Sequence, residues 1–229
     1  MIIPKYKCIF IHIPRTGGSS IQNLFVDAEN IKFPDIESLI AHTKKILLRG
    51  DHEYHTGGLQ HLMGKYIRSE VGEEIFNSYY KFSFVRNPWD RIVSSYFSIR
   101  KKILVASLHP LNPPEEIFPL GKILDLEECS TFEKFLQTIQ EKEHILWEEQ
   151  YKFLYDDNGN LLVDDIFRFE NLKDHVNRIL EKINFLEDGD LPHETKSNHA
   201  PYPCHYTNET RELVGNLYSK DIELFGYTF

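Results

Sequence analysis

The fold is decided by a stretch near the start of the chain, KCIFIHIPRTGGSS at residues 7–20. The apolar, β-branched run over 7–13 is followed by Pro14 and predicts a buried parallel strand. After the glycines, apolar residues recur with the spacing of one helical face: Ile21, Leu24, Phe25 and Ala28. A strand, a glycine-rich turn and a helix in this order point the first N–H groups of the helix toward an anion.

Strands and helices alternate along the rest of the chain. YYKFSFV (79–85) predicts a second core strand and DDIFRFE (164–170) a third. Further helices are predicted over 60–71, from Pro88 onward, from Ser130 to about 142, from 172 onward and over 208–224. The helix near 130 rests on the capping-box spacing of Ser130 and Glu133. The alternation predicts an α/β fold with a largely parallel sheet.

Composition bounds the class of protein. The chain has 229 residues, a length typical of one domain, so a single domain over 1–229 is predicted. Hydrophobic residues make up 41%, which excludes a wholly disordered chain. The net charge of −9 argues against a nucleic-acid partner, which needs a basic face. No apolar stretch approaches the roughly 20 residues of a membrane helix, so no membrane partner is predicted.

The cysteines indicate a reduced compartment. Cys8, Cys129 and Cys204 are far apart and none forms a CxxC pair. A disulfide framework or a zinc site is therefore not predicted, and no other set of side chains has metal-ligand spacing. The N-terminal apolar stretch is typical of a first strand rather than of a signal peptide, which favours a cytoplasmic protein.

The turn at 14–20 carries groups suited to a phosphate-like ligand. Arg15 offers a fixed charge and a planar donor fork, and hydroxyls follow at Thr16, Ser19 and Ser20. A plain helix N-cap is the alternative interpretation. The pattern GxxxxGK[ST] is absent, so the turn is not that of a nucleoside triphosphatase.

A second motif, FSFVRNPWDRIVSSY, occupies residues 82–96. Arg86 follows a core strand, and in an open parallel sheet the carboxyl ends of strands form the ligand edge. Ser94 lies about two turns into the next helix, so both side chains can converge on one phosphate. Taken alone, the motif equally fits a structural ion pair between Arg86 and Asp90.

Together the motifs FIHIPRTGGSS and FVRNPWDRIVSSY resemble those of PAPS-dependent sulfotransferases, specifically the carbohydrate-type sulfotransferase family 2 and its small bacterial relatives. The resemblance continues through HLMGKYIRSEVGEEIFNSYYKF (61–82), IFRFENL (166–172) and ETRELVGNLYSKDIELFGY (209–227). It implies a three-layer α/β sandwich with a P-loop-like phosphosulfate-binding turn. It also implies transfer of a sulfuryl group from PAPS (3′-phosphoadenosine 5′-phosphosulfate) to a hydroxyl, without a metal.

The resemblance assigns roles to individual positions. It places the 5′-phosphosulfate on Arg15, Thr16, Gly17, Gly18, Ser19 and Ser20, and the 3′-phosphate on Arg86 and Ser94. It also suggests further cofactor contacts from Lys196 and Ser197 in a late loop, for which a solvated loop is the alternative interpretation. Many family members have Lys where this chain has Arg15. Arginine stays charged and can stabilise the leaving phosphate during catalysis, but it cannot donate a proton.

A histidine is the predicted catalytic base, because an acceptor hydroxyl must lose its proton as it attacks sulfur. His61 has the register of a family histidine and lies 11 residues before Gly72. His55 and His52 are the alternatives. His12 lies in the first strand and is predicted to be a buried, hydrogen-bonded residue beneath the loop.

The acceptor is predicted to be a carbohydrate or a small alcohol, bound by segments 30–60 and 100–126. The second segment begins with the basic cluster Arg100-Lys101-Lys102, which fits the solvated end of a helix and, alternatively, a site that attracts an anionic sugar. Gln150 falls in a family-like stretch and fits either a substrate contact or a structural role. Two alternative functions stay open: a P-loop-like nucleotide kinase or NTPase, and a non-catalytic nucleotide-binding module of the same fold.

Overall fold

The computed structural model describes residues 1–28, 61–108, 124–185 and 199–229. The predicted site residues His52, His55, Lys196 and Ser197 lie outside the described residues, as does segment 30–60. The chain forms two compact units. The first comprises Met1–His52, Leu59–Arg86 and Gln150–Lys196, and the second Glu53–Gly58, Asn87–Glu149 and Ser197–Phe229.

The sheet belongs to the first unit. Its strands are β1 (Ile2–Ile3), β2 (Cys8–Ile11), β3 (Tyr80–Val85) and β4 (Asp165–Arg168), in the spatial order β1-β2-β3-β4. The short β1 is antiparallel to β2, whereas β2, β3 and β4 are parallel to one another. The prediction of an α/β fold with a largely parallel sheet is confirmed.

Helices follow the strands in alternation. They are α1 (Gly18–Ala28), α2 (Gly64–Val71), α3 (Glu73–Ser78), α4 (Pro88–Ser107), α5 (Phe132–Glu141), α6 (Tyr151–Leu154), α7 (Leu172–Lys182), α8 (Asn208–Leu217) and α9 (Ser219–Phe225). Short 3₁₀ turns cover Pro4–Tyr6, Phe169–Asn171 and Tyr202–His205.

The core of the first unit lies on both faces of the sheet. Phe10, Phe82 and Phe84 point to one face, where α1 and α7 pack on them through Phe25 and Val176 among others. Side chains alternate along a strand, so Ile11 points to the opposite face. There a Cβ at Gly64 would lie 2.8 Å from Ile11 Cδ1, which shows how closely α2 approaches.

The second unit holds the start of α4 against its C-terminal segment. Tyr206 Oη donates to the main-chain oxygen of Trp89 at 2.9 Å, and Trp89 Nε1 donates to the oxygen of Arg211 at 2.9 Å. Asn87 Nδ2 donates to the oxygen of Thr228 at 2.8 Å. The residues directly after Arg86 are thereby fixed within this unit.

Two predicted helix boundaries were wrong. The N-cap of α5 is Thr131, whose Oγ1 accepts from the Lys134 N–H at 3.2 Å. Ser130 lies one residue before this cap, and its hydroxyl donates to the Glu127 oxygen at 2.6 Å. The terminal helix predicted over 208–224 is divided into α8 and α9 at Tyr218, whose Oη donates to the oxygen of Trp147 at 2.6 Å.

Candidate active site

Three residues directly follow the parallel strands of the first unit. His12 follows β2, Arg86 follows β3 and Phe169 follows β4. The strands are aligned in register, with Ile11 opposite Ser83 and Val85 opposite Arg168. These three residues therefore occupy the same carboxyl edge of the sheet, where open α/β sheets bind their ligands.

The turn between β2 and α1 brings main-chain N–H groups to this edge. Arg15 and Gly17 both adopt left-handed backbone conformations, with φ values of 68° and 84°. Thr16 is fully buried, and its Oγ1 donates to the oxygen of Ile13 at 2.8 Å, so its hydroxyl braces the turn. The helix then begins at Gly18, and the N–H groups of Ser20 and Ile21 donate to the Gly17 oxygen at 3.1 and 3.3 Å, so it is the N–H groups before them that have no acceptor within the helix.

The two glycines of the turn are also required by side chains that pack against them. A Cβ at Gly18 would lie 1.8 Å from His12 Nε2. A Cβ at Gly17 would lie 3.0 Å from both Leu172 and Phe169, in addition to the strain of its positive φ. Of the predicted serines, Ser19 is exposed and Ser20 is buried.

Arg86 is held by three residues of the first unit. Its main-chain N–H donates to Gln150 Oε1 at 2.8 Å, and its main-chain oxygen accepts from Gln150 Nε2 at 2.9 Å. Its Nη1 donates to the main-chain oxygen of Arg15 at 3.0 Å. Its guanidinium carbon lies 4.4 Å from the centre of the Phe169 ring.

The electrostatics of this edge favour an anion. Burial and the positive charge of Arg86 lower the pKa of Arg15 to about 10. Arg15 is still protonated at neutral pH. Its guanidinium group lies close enough to that of Arg86 for the two positive charges to repel each other. An anion bound between them would relieve their repulsion and form charge-assisted hydrogen bonds with both.

The structure brings two buried imidazoles to the same edge. The rings of His12 and His61 have centroids 4.4 Å apart, and His61 Nδ1 lies 3.2 Å from the main-chain oxygen of His12. A carbonyl oxygen can only accept, so Nδ1 of His61 carries hydrogen. In the neutral ring, Nε2 is then the nitrogen with a lone pair and can act as a base.

The buried His12 ring resists protonation. Burial, followed by the charges of His61, the Met1 amino group and Arg15, holds the pKa of His12 well below its ordinary value. Its ring stacks on Phe10, with centroids 5.4 Å apart and planes 18° apart. His12 thus supports both the turn and His61, as predicted for a buried residue beneath the loop.

Two residues at this edge had no assigned role in the sequence analysis. Gln150 was open between a substrate contact and structure, and its contacts with the Arg86 main chain decide for structure. Phe169 fell within the predicted strand 164–170 and had no role of its own, whereas the structure ends that strand at Arg168 and places Phe169 directly after it. Ser94 lies in α4 of the second unit and is fully buried.

A cavity of about 440 Å³ lies elsewhere, in the second unit. It is lined by Trp89, Asn208, Arg211, Glu212, Gly215 and Asn216. None of the predicted site residues is part of this lining. The geometry at the strand ends is therefore the stronger candidate for the active site.

A model of the sulfotransferase family matches residues 1–228. The chain belongs to the sulfotransferase family. The match spans both motifs and confirms the resemblance that they carry. An uncharacterized protein of Archaeoglobus fulgidus is 26% identical over 128 residues, which are 55% of this chain and 84% of that protein. No solved structure matches the chain.

Two further findings concern the part of the chain that the structure describes. Within the four described stretches, no group of three or more His, Cys, Asp or Glu side chains is arranged to hold a metal ion. Over the same residues, no helix has both the length and the apolarity needed to cross a membrane.

Proposed function

We propose that this chain is a PAPS-dependent sulfotransferase that acts on a hydroxyl acceptor by in-line transfer with a histidine base. The observation that carries the proposal is the meeting of Arg15, Arg86 and the first turn of α1 at the carboxyl edge of the sheet. PAPS has phosphate groups at two ends of its ribose, and two cations beside a helix N-terminus suit such a ligand. When bound, PAPS supplies the sulfuryl group and the leaving group, adenosine 3′,5′-bisphosphate (PAP).

The turn at 14–20 is proposed as the P-loop-like binding site for the 5′-phosphosulfate. The N–H groups at the start of α1 would donate to its oxygens, with the exposed Ser19 hydroxyl beside them. Arg15 would stabilise the negative charge that develops on the bridging oxygen as the S–O bond breaks. Arg86 would pair with the 3′-phosphate, with Ser94, Lys196 and Ser197 as proposed additional contacts.

His61 is the proposed base. Its Nε2 would accept the proton of the acceptor hydroxyl as the new O–S bond forms. The hydrogen bond from Nδ1 to the His12 oxygen supports this assignment because it fixes the tautomer. His12 does not compete for the proton, because burial holds its pKa well below the ordinary value.

The acceptor is proposed to be carbohydrate-like. Arg100, Lys101 and Lys102 lie in the last turns of α4 and are exposed, which supports an anionic sugar as the ligand of this cluster. A reduced, cytoplasmic setting is also proposed, because Cys8, Cys129 and Cys204 are far apart in the sequence and form no CxxC pair. The proposed sulfotransferase domain is the whole chain, 1–229.

Nucleotide binding tests the cofactor assignment. PAP should bind at least tenfold more tightly than adenosine 5′-phosphate, because a 3′-phosphate adds charge-assisted hydrogen bonds of about 1.5–3 kcal/mol. Arg86→Ala should remove most of this difference, as measured by isothermal titration calorimetry of both nucleotides.

Arg178→Ala is the matched control, since it removes one exposed cation from α7 of the same unit. It should preserve the difference between the two nucleotides. Equal affinities of the unmodified protein for both nucleotides would reject PAPS as the cofactor. Tight binding of ATP accompanied by its hydrolysis would favour the nucleoside triphosphatase instead.

A further inference from the structure

Gln150 makes a pair of hydrogen bonds that need both a donor and an acceptor at the end of one side chain. Its Oε1 accepts from the N–H of Arg86 at 2.8 Å while its Nε2 donates to the oxygen of the same residue at 2.9 Å. A carboxylate cannot donate and an aliphatic side chain can do neither. The partners are 64 residues apart in the chain, and Gln150 is fully buried.

These bonds act at the point where β3 ends. The last paired residue of β3 is Val85, opposite Arg168 of β4. Arg86 lies one residue beyond this pair, and Gln150 satisfies its main-chain groups as a neighbouring strand would. Gln150 is itself held at the start of α6, where its main-chain oxygen accepts from the Phe153 N–H at 3.1 Å.

The rest of Arg86 is oriented by different groups. Its Nη1 bonds to the Arg15 oxygen, and its guanidinium group lies over the Phe169 ring. The direction in which a guanidinium fork points determines whether it can bind a phosphate through two parallel hydrogen bonds. That direction depends on the main chain from which the side chain extends, which Gln150 holds.

We propose that Gln150 is a positioning residue that sets discrimination for the nucleotide 3′-phosphate by fixing the main chain of Arg86. The proposal rests on the proposed function, since it concerns the 3′-phosphate of PAPS and PAP. Gln150 itself would not contact the nucleotide. It acts through Arg86.

Gln150→Met tests the proposal because it keeps the length of the side chain and removes both hydrogen bonds. PAP affinity should fall about tenfold while the affinity for adenosine 5′-phosphate changes less than about twofold. A purely structural residue would weaken both nucleotides alike. In the Arg86→Ala background, Gln150→Met should have no further effect on PAP affinity, because its effect passes through Arg86.

Gln150→Glu serves as a second variant. It keeps an acceptor for the Arg86 N–H but turns an oxygen toward the Arg86 carbonyl, so it should also lose selectivity for PAP. Gln137→Met is the control, since Gln137 is an exposed glutamine on α5. It should leave both affinities unchanged.

The outcomes distinguish failure of the proposed function from failure of the positioning role of Gln150. If the unmodified protein binds PAP and adenosine 5′-phosphate equally, the proposed function fails. If the unmodified protein discriminates and the folded Gln150 variants still discriminate equally well, the positioning role is overturned. Failure of both Gln150 variants to fold, judged by circular dichroism and thermal melting, would assign Gln150 to folding and also overturn the positioning role.

Discussion

Replacing Gly18 with alanine should destabilise the protein through a single contact. The added Cβ would lie 1.8 Å from His12 Nε2 and 2.0 Å from His12 Cδ2, about half of the ~3.5–4.0 Å optimal contact distance. The His12 ring cannot easily withdraw, because it is stacked on Phe10 and lies beside His61. Overpacking of this kind costs about 1–3 kcal/mol in free energy of unfolding.

A double-mutant cycle isolates the contact. In a His12→Ala background the ring is gone, so Gly18→Ala should be neutral or stabilising by up to about 1 kcal/mol, the helix preference of alanine over glycine. The expected coupling energy is therefore about 1–4 kcal/mol. Gly215→Ala is the control: its Cβ would meet Trp89 at 3.4 Å, an ordinary contact within α8.

Urea unfolding followed by circular dichroism measures the four free energies of the cycle. Gly215→Ala should be neutral or slightly stabilising. The predicted clash with the His12 ring would be refuted if Gly18→Ala were as stable as the unmodified protein. It would equally be refuted if the substitution were as destabilising without His12 as with it.

Two further predictions concern Arg15 and His144. Arg15→Ala should lower kcat by roughly 10²–10³-fold and change the Kd of PAP by less than about tenfold, because the cation acts mainly on charge developing in the transition state. Steady-state kinetics and calorimetry test this, and a change confined to KM would show that Arg15 only anchors the cofactor. Burial lowers the pKa of His144 to about 4, so the unfolded chain binds a proton that the folded chain resists between pH 6.5 and 4. Stability should therefore fall as pH decreases through that window, by ~3 kcal/mol in total from this group. His144→Asn, which retains an acceptor for the Leu146 N–H, should remove that part of the loss in urea unfolding at several pH values; identical pH profiles would contradict the assignment.

The sequence predicted those parts of the site that depend only on residues close together in the chain. The apolar run before Pro14 and the helical spacing after the glycines predict the strand and helix that flank the turn. Arg86 was predicted at the end of a core strand, and the structure places it directly after β3. These positions follow from periodicity and from the direction of parallel strands.

The remaining features depend on contacts between distant residues. The reason for Gly18 is the ring of His12, and part of the reason for Gly17 is the ring of Phe169, neither of which a loop pattern reveals. The main-chain contacts of Gln150 join residues 64 positions apart. The N-cap of α5 was also hard to predict, because Ser130 and Thr131 are adjacent hydroxyl residues that could each cap the helix. In the structure Thr131 is the cap, and the Ser130 hydroxyl donates to the preceding turn.

Sulfuryl transfer from PAPS labelled at sulfur is the most direct test of the proposed activity. With a panel of carbohydrates, small alcohols and phenols, the unmodified protein should move the label to at least one hydroxyl acceptor and release PAP. His61→Ala should abolish transfer while PAP still binds, because the base acts on the acceptor and not on the nucleotide. Tight PAP binding without transfer to any acceptor would contradict the account and leave a nucleotide-binding module. Near-normal transfer by His61→Ala would contradict the assigned base.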